Sequence, residues 1–106
     1  MTVGLGRPAP LVEVSDALRS FGGEFTDLGL RSAPPELITV TEDPDHPQPR
    51  IDRYTHDGMS TIVGRIGEDA ILPNGIRLVL LSHNTELGAA KGAVLVAEYL
   101  LRGRLA

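Results

Sequence analysis

The sequence predicts an α+β domain with a mixed or antiparallel sheet, a helix after the first strand and a long C-terminal helix. Three observations lead to this fold class. Short apolar segments of strand length alternate with turns rich in Gly and Pro, an Asn-Gly pair separates two of those segments, and the chain closes on an apolar stretch of helical length. The 106 residues are enough for one small domain and too few for two.

The first part of the chain is predicted to be a strand followed by a helix. Residues 1–6 alternate apolar with small or polar residues, as a short strand does, and Arg7-Pro8-Ala9-Pro10 ends it. Residues 11–21 then repeat apolar residues at helical spacing. The pair Gly22-Gly23 is expected to end this helix, because glycine is favoured just after a helix C-terminus.

The middle segment, residues 24–57, is the least regular part of the sequence. Its prolines favour an extended arm over a packed helix, and such an arm is suited to lie across a neighbouring subunit. Within it, residues 37–41 have the composition of a short strand. Ile51 and Tyr54 are expected to be buried when the arm packs, and a disordered tract is the alternative.

The second half is predicted to contain a hairpin. Residues 58–66 and 76–82 have the composition of strands, and residues 67–73 are expected to form a loop between them. Asn74-Gly75 is a strong signal for a tight turn. Arg65 leaves three interpretations open: it faces solvent, pairs with Glu68 or Asp69, or reaches an anionic ligand, and a structural role is favoured.

Composition and charge exclude several classes of function. A net charge of −4 without a basic cluster argues against nucleic-acid binding. The longest apolar run is too short to span a bilayer, and the first residues lack the charged and apolar pattern of a secretory signal, so a cytoplasmic location is expected. Cysteine is absent, which removes disulfides and any thiol nucleophile. Only 4% of the residues are aromatic, so we expect this small core to need a partner surface.

The three histidines are too dispersed in the sequence to predict a metal site. His46 follows Asp43-Pro44-Asp45, a group that offers ligands to a hard cation but fits a solvated loop better. His56 is interpreted as a surface loop residue. Glu42 and its acidic neighbours lack the rigid pocket that acid–base catalysis needs. The residues therefore predict no catalytic group and no metal ligand in the chain.

The start of the closing helix is the most informative part of the sequence. This helix is expected over residues 86–101, with Arg102-Gly103-Arg104 favourable at its C-terminal end. Asn84 and Thr85 lie between an apolar strand and a helix start rich in small residues. Two roles are therefore open for them, capping the helix and contacting a cofactor. A face of small residues allows close approach by a ligand or a second helix, and it contains Gly88, Ala89, Gly92 and Ala93.

Two blocks of sequence carry a family resemblance. GMSTIVGRIGED (residues 58–69) and NGIRLVLLSHNTELGAAKGAVLVAEYL (residues 74–100) resemble the C-terminal end of the aspartate-semialdehyde dehydrogenase family. Members carry a strand ending in VGRIR, a DN or HNT turn, and a GAA helix ending in AE. The proline-rich segment before Gly58 is similar to that family's dimerisation segment. The HNT turn is similar to the branch shared by archaeal and fungal enzymes, which also contains reductases of acyl-thioesters.

The resemblance implies a two-domain, NADP-dependent oxidoreductase of amino-acid biosynthesis. In that family a Rossmann domain binds NADP, and a catalytic and dimerisation domain completes the site around a cysteine nucleophile. Residues at the start of the final helix approach the nicotinamide. Carried over to this sequence, that role implicates Asn84 first, with Thr85 and Gly88 as weaker cofactor-binding neighbours.

The sequence also departs from the family pattern. Leu95 stands where many bacterial members have a Gln that contacts the cofactor, and Gly67 stands where the family often has Arg. The catalytic cysteine, the nucleotide-binding loop and the substrate-binding Arg/His motif are absent. Residues 1–106 are therefore expected to form a single partial domain, inactive alone, that works as a homodimer or with a missing N-terminal half. A non-catalytic self-association module and a piece of a related acyl-CoA reductase are the alternatives.

Overall fold

The computed structural model describes residues 1–102, and Gly103 and Arg104 lie outside them. The described residues form four strands and four α-helices with two additional turns of helix. The strands are β1 (Thr2–Gly4), β2 (Ile38–Val40), β3 (Thr61–Asp69) and β4 (Gly75–Leu81), and the helices are α1 (Leu11–Ser20), α2 (Gly23–Asp27), α3 (Pro49–Asp52) and α4 (Lys91–Leu101). A 3₁₀ turn at Thr55–Gly58 precedes β3, and a π-helical turn at Glu86–Ala90 precedes α4.

The four strands form one mixed sheet in the order β1-β4-β3-β2. β4 is antiparallel to both β1 and β3, whereas β2 is parallel to β3. This arrangement confirms the predicted α+β class with a mixed sheet. The core lies on the face that α1 covers, where Val63, Ile76 and Leu78 are buried. Apolar residues of α1 pack against them, namely Leu11, Val14 and Leu18.

The hairpin is confirmed, but β3 begins and ends three residues later than predicted. Asp69 pairs with Gly75, so three residues assigned to a loop continue the strand. These three residues have low strand propensity, and the pairing register shifts just before them, between Gly64 and Gly67. Beyond the shift, the Arg77 guanidinium donates to the carbonyl of Glu68 and lies over Gly67. The Asn-Gly turn is as expected, with the Gly75 N–H donating to the Leu72 carbonyl at 3.0 Å.

The glycine pair after α1 does not simply end a helix. Phe21 is already extended and 62% exposed, and Gly22 follows with a positive φ of 75°. The pair therefore follows the end of α1 as expected, but Gly23 also begins a second helix, α2, that was not predicted. A left-handed residue between two helices redirects the chain without a long connection, which helical periodicity in α1 alone does not indicate.

The proline-rich middle segment is not a purely extended arm, because it contains the short helix α3 and a 3₁₀ turn. Pro49 occupies the first turn of α3, where its missing N–H costs no helical hydrogen bond. Ile51 is 63% exposed and Tyr54 58% exposed, so the expectation that both are buried was wrong. The segment is held by polar contacts instead: the Asp52 carboxylate accepts from the Gln48 N–H at 2.7 Å.

The closing helix is broken near its start. Residues 86–90 form the π-helical turn, Ala89 has φ −142° and ψ −106°, and α4 proper begins at Lys91. The other end is anchored to the segment after α2, because Glu98 accepts hydrogen bonds from the N–H and Oγ of Ser32, each at 3.0 Å. Of the helices in residues 1–102, none has the length and apolar character that crossing a membrane requires.

Candidate functional site

Asn84 lies beside a pocket of about 310 Å³ at the end of β4. We call it the Asn84 pocket, and its lining residues are Pro49, Arg53, Tyr54, Leu81, Ser82, His83 and Asn84. Asn84 and Thr85 are both exposed. Within residues 1–102 the Asn84 side chain takes part in no hydrogen bond, so its amide is available to a ligand.

Helix capping does not explain the Asn84-Thr85 pair. Thr85 precedes the π-helical turn without a side-chain capping bond. Its N–H donates instead to His83 Nδ1 at 3.3 Å, and its Oγ1 lies 3.0 Å from the same nitrogen. Thr85 is therefore bound to the His83 ring, whereas the Asn84 side chain is left unengaged.

Gly88 supports the turn from its other side. Its N–H donates to the His83 carbonyl at 3.2 Å, and a side chain built at Gly88 would lie 3.8 Å from the Asn84 Cβ. Gly88 is exposed, as are Ala89 and Ala93 on the face of small residues. No part of residues 1–102 covers that face closely, and only Gly92 packs tightly, against the Leu87 carbonyl.

Two residues of the pocket, Arg53 and Tyr54, were missed by sequence reasoning. The Arg53 guanidinium carbon lies 5.0 Å from the centre of the Tyr54 ring, and the Tyr54 ring centre lies 5.1 Å from that of His83. The only signal in the sequence was an arginine next to an aromatic residue in the proline-rich segment. We expected that aromatic residue, Tyr54, to be buried. Arg53 and Tyr54 lie about thirty positions before Asn84 in the sequence, and only the tertiary fold brings them to the same pocket.

Gly58 permits this proximity. It is buried with a positive φ of 77°, and it follows His56 and Asp57, which also have positive φ values of 51° and 59°. A Cβ at Gly58 would lie 3.0 Å from Glu86 side-chain atoms and 3.2 Å from His83 Cδ2. Glycine is therefore required on both conformational and steric grounds for the 3₁₀ turn to lie against the loop that carries Asn84.

The other histidines serve structural contacts. His46, expected in a solvated loop, is partly buried, with Nδ1 2.6 Å from Asp52 Oδ2. This hydrogen bond is the main reason that the pKa of His46 is raised. The pKa of Asp52 is lowered, first by the Gln48 backbone N–H and then by His46. His56 Nε2 lies 3.6 Å from Glu36 Oε1. Residues 1–102 contain no cluster of His, Asp or Glu suited to a metal ion.

Arg65 has a structural role in a form that we did not foresee. Its Nε donates to the Pro44 carbonyl at 2.9 Å and its Nη2 to the Asp45 carbonyl at 3.3 Å. Arg65 has a positive φ of 51° and lies within the register shift of β3. The pairing with Glu68 or Asp69 that we considered does not occur.

Comparison with known proteins identifies the family. No family profile matches the chain. The aspartate-semialdehyde dehydrogenase of Saccharomyces cerevisiae is 48% identical over 100 residues, which cover 93% of this chain and 27% of that protein. The Candida albicans enzyme is 47% identical over 95 residues, 89% of this chain and 26% of the relative. The Methanothermobacter thermautotrophicus enzyme is 43% identical over 88 residues, 83% of this chain and 25% of the relative.

A solved structure agrees with these relatives. The crystal structure of the Candida albicans aspartate-semialdehyde dehydrogenase with NADP superimposes with a TM-score of 0.73 at 44% identity, over 90% of this chain and 26% of that one. The mixed α+β fold matches the C-terminal domain of these enzymes. The chain belongs to the aspartate-semialdehyde dehydrogenase family, and it spans about a quarter of the length of the relatives that it matches.

Proposed function

We propose that this chain is the C-terminal portion of an NADP-dependent aspartate-semialdehyde dehydrogenase, which reduces aspartyl phosphate to aspartate semialdehyde for lysine, methionine and threonine biosynthesis. The observation that carries the proposal is the 48% identity with the yeast enzyme along 93% of the chain. Since only 27% of that enzyme is matched, the other parts of the site belong to a separate or longer polypeptide.

Asn84 is the residue that we assign to the cofactor. A primary amide both donates and accepts, so the exposed Asn84 side chain can pair with the carboxamide of a nicotinamide ring. The residues that line its pocket fit this group, because an aromatic ring and an imidazole lie beside the amide and no acidic side chain is present. Thr85 and Gly88 act as weaker neighbours, the first through its bond to His83 and the second by leaving space.

The chain by itself should be catalytically inactive. Covalent acyl transfer in this family needs a thiolate, and this sequence has no cysteine. The nucleophile and most of the nucleotide contacts would come from the N-terminal part of the enzyme, and the dimer surface would bring a second copy alongside. NADP, when bound, would supply the hydride-transfer chemistry, and Asn84 would hold its nicotinamide carboxamide.

The test combines this chain with the Candida albicans enzyme truncated by the matching C-terminal quarter. We expect neither part alone to reduce NADP with the semialdehyde and phosphate, and the mixture to do so. Asn84→Ala should lower the activity of the mixture about tenfold or more, as loss of a hydrogen bond made to the reacting cofactor does. Asn74→Gly is the matched control, since it removes an amide at the opposite end of β4 and keeps a positive φ.

Three outcomes would contradict all or part of the proposal. Turnover by the isolated chain would show that its chemistry differs from that of the family. A mixture that forms a stable complex but stays inactive would favour the non-catalytic self-association module. Equal activity of the Asn84 and Asn74 variants would remove Asn84 from the cofactor site while leaving the family assignment intact.

A further inference from the structure

Asn74 and Gly75 form the only Asn-Gly pair of the sequence, at the tip of the β3–β4 hairpin. Asn74 is exposed and has a positive φ of 52°. Because glycine has no side chain to shield its backbone nitrogen, the Gly75 nitrogen can attack the side-chain amide of the asparagine before it. The other asparagine, Asn84, precedes Thr85, whose branched side chain obstructs the same attack. The reactive amide of this chain is therefore that of Asn74.

The reaction is a deamidation that consumes water and releases ammonia. The Gly75 nitrogen forms a bond to Asn74 Cγ, the Cγ–Nδ2 bond breaks, and the proton of the Gly75 N–H leaves with the amide nitrogen as ammonia. Water then opens the resulting succinimide ring. Attack of water at Cγ gives aspartate, whereas attack at the backbone carbonyl carbon gives isoaspartate, in which the chain runs through Cβ and Cγ. Nothing is oxidised or reduced in either step.

The folded hairpin engages both of the reacting groups. The Gly75 N–H donates to the Leu72 carbonyl at 3.0 Å, and Asn74 Nδ2 donates to the Leu5 carbonyl at 3.3 Å. A Cβ built at Gly75 would lie 2.5 Å from the Asp69 carbonyl oxygen and 2.8 Å from that of Leu72. These oxygens leave the peptide little room to rotate, and their partial negative charge disfavours removal of the proton from the attacking nitrogen. Ring closure therefore requires the turn to open first.

Asn74 also anchors one end of β1. Its backbone carbonyl accepts from the Leu5 N–H at 3.1 Å, and at the other end the Leu78 N–H donates to the Met1 carbonyl at 3.0 Å. Between these bonds, Val3 packs against the buried core. Isoaspartate turns the Asn74 backbone carbonyl into a free carboxylate and adds a carbon to the chain path, so the bond to Leu5 is lost. Within residues 1–102 no strand pairs with the other edge of β1 to hold it in place.

We propose that Asn74 is a modification site: the folded hairpin protects it from deamidation, and isoaspartate formation after the turn opens releases β1 from the sheet. The change of backbone path is the damaging step. The side-chain bond to the Leu5 carbonyl is exposed and 3.3 Å long, so loss of the amide alone has little effect. The inference goes beyond the proposed function, because it requires neither a cofactor nor turnover.

The first experiment ages the 106-residue chain in mildly alkaline buffer, with and without enough urea to unfold it. Peptide mapping by mass spectrometry follows the mass increase that conversion of an amide to an acid causes at Asn74. We expect this conversion to be about tenfold or more slower in the folded chain, because it waits for local opening. Asn84 is the internal control and should convert slowly in both conditions. Equal rates for the folded and unfolded chains, or equal conversion of Asn84 and Asn74 in urea, would overturn the proposal.

The second experiment examines β1 in the modified chain. The isoaspartate product is separated by reverse-phase chromatography and refolded, and hydrogen exchange at the Leu5 N–H is measured by NMR. We expect this N–H to exchange about tenfold or more faster than in the unmodified chain. Asn74→Asp is the matched control, since it carries the new charge on a normal backbone, and it should change the exchange rate less than about threefold.

Asn74→Gly cannot deamidate, so this variant aged in parallel controls for other chemical damage and should keep the protection at Leu5. An isoaspartate chain that fails to refold while Asn74→Asp folds would support the proposal, because only the backbone path differs between the two. Unchanged exchange at Leu5 in the refolded isoaspartate chain would overturn the release of β1.

Discussion

At Gly64, the loop that crosses β3 occupies the space that a side chain would need. A Cβ built there would lie 2.4 Å from the His46 carbonyl oxygen and 2.8 Å from both Pro47 Cδ and Thr41 Cγ2. The Thr41 N–H also donates to the Val63 carbonyl at 2.9 Å, so the loop cannot move away without losing a backbone bond. Glycine is needed at this position because the loop passes close to the backbone of β3, and not because the chain turns there.

Gly64→Ala should therefore destabilise the chain by about 1–3 kcal/mol, the usual cost of overpacking a buried site. Gly6→Ala is the control, because nothing lies within 4 Å of a Cβ at that position, and it should stay within about 0.5 kcal/mol of the wild type. Urea unfolding of the three proteins measures the difference. Equal stabilities would show that the loop does not rest on β3 as described.

At the scale of residues, the sequence indicates some residues of the candidate site and not others. Asn84 and Thr85 are predictable because a polar pair between an apolar strand and a helix start is a local pattern. Arg53 and Tyr54 are not, because their contribution depends on the left-handed turn at His56 and Asp57, which has no simple sequence signature. Long-range juxtaposition is the part of a site that local patterns leave undetermined.

At the scale of elements, α3 is joined to the loop before it by one ion pair. His46 and Asp52 are 2.6 Å apart, and the same carboxylate accepts from the Gln48 N–H at the start of α3. Asp43 Oδ2 lies 3.7 Å from the other nitrogen of the ring, and Asp45 adds to the negative potential. The raised pKa of His46 and the lowered pKa of Asp52 make this junction dependent on pH.

The sign of the dependence differs for the two partners. His46 stabilises the fold fully below its ordinary pKa of 6.5, and this contribution is lost as the pH rises through its raised folded value. Asp52 stabilises the fold above its ordinary pKa of 3.8, and this contribution is lost as the pH falls through its lowered folded value. The junction should be strongest between pH 3.8 and pH 6.5.

His46→Asn should remove the fall in stability that the wild type shows as the pH rises above neutrality. Urea unfolding at a series of pH values provides the measurement, and the comparison is between slopes and not absolute stabilities. His56→Asn serves as the control, because it removes a histidine outside this junction and asparagine tolerates its positive φ. If the His46 variant keeps the wild-type slope and the His56 variant loses it, the junction is not the titrating element.

Elements were predictable where a local rule decides them. The Asn-Gly hairpin, the helix at Leu11–Ser20 and the strand at Ile38–Val40 each follow from periodicity or turn chemistry. The last residues of β3 read as a loop because Gly67, Glu68 and Asp69 lack strand propensity, and they are strand because β4 pairs with them. In the proline-rich segment, one proline began a helix where the overall composition favoured an extended chain.

At the scale of the whole molecule, the described residues enclose a small core and leave much apolar surface uncovered. Besides two prolines, Pro34 and Pro47, the buried apolar side chains of residues 1–102 are Met59, Ile62, Val63, Ile76, Leu78 and Leu95. Large apolar side chains of α4 remain about half exposed or more, among them Val94, Val96 and Leu100. A core of this size gives marginal stability, so we expect folding of this chain to be coupled to binding of the N-terminal part that we propose as its partner.

This coupling predicts that the thermal midpoint of the chain rises when the truncated Candida albicans enzyme is added. A ligand that binds only the folded state at 100 times its Kd stabilises that state by about 2.7 kcal/mol. The increase should grow with the logarithm of the added concentration, and ¹⁵N labelling of this chain alone lets NMR follow its melting within the mixture. Serum albumin at equal mass concentration controls for crowding and should shift the midpoint little. A midpoint that does not depend on the truncated enzyme would mean that the exposed face of α4 has another role.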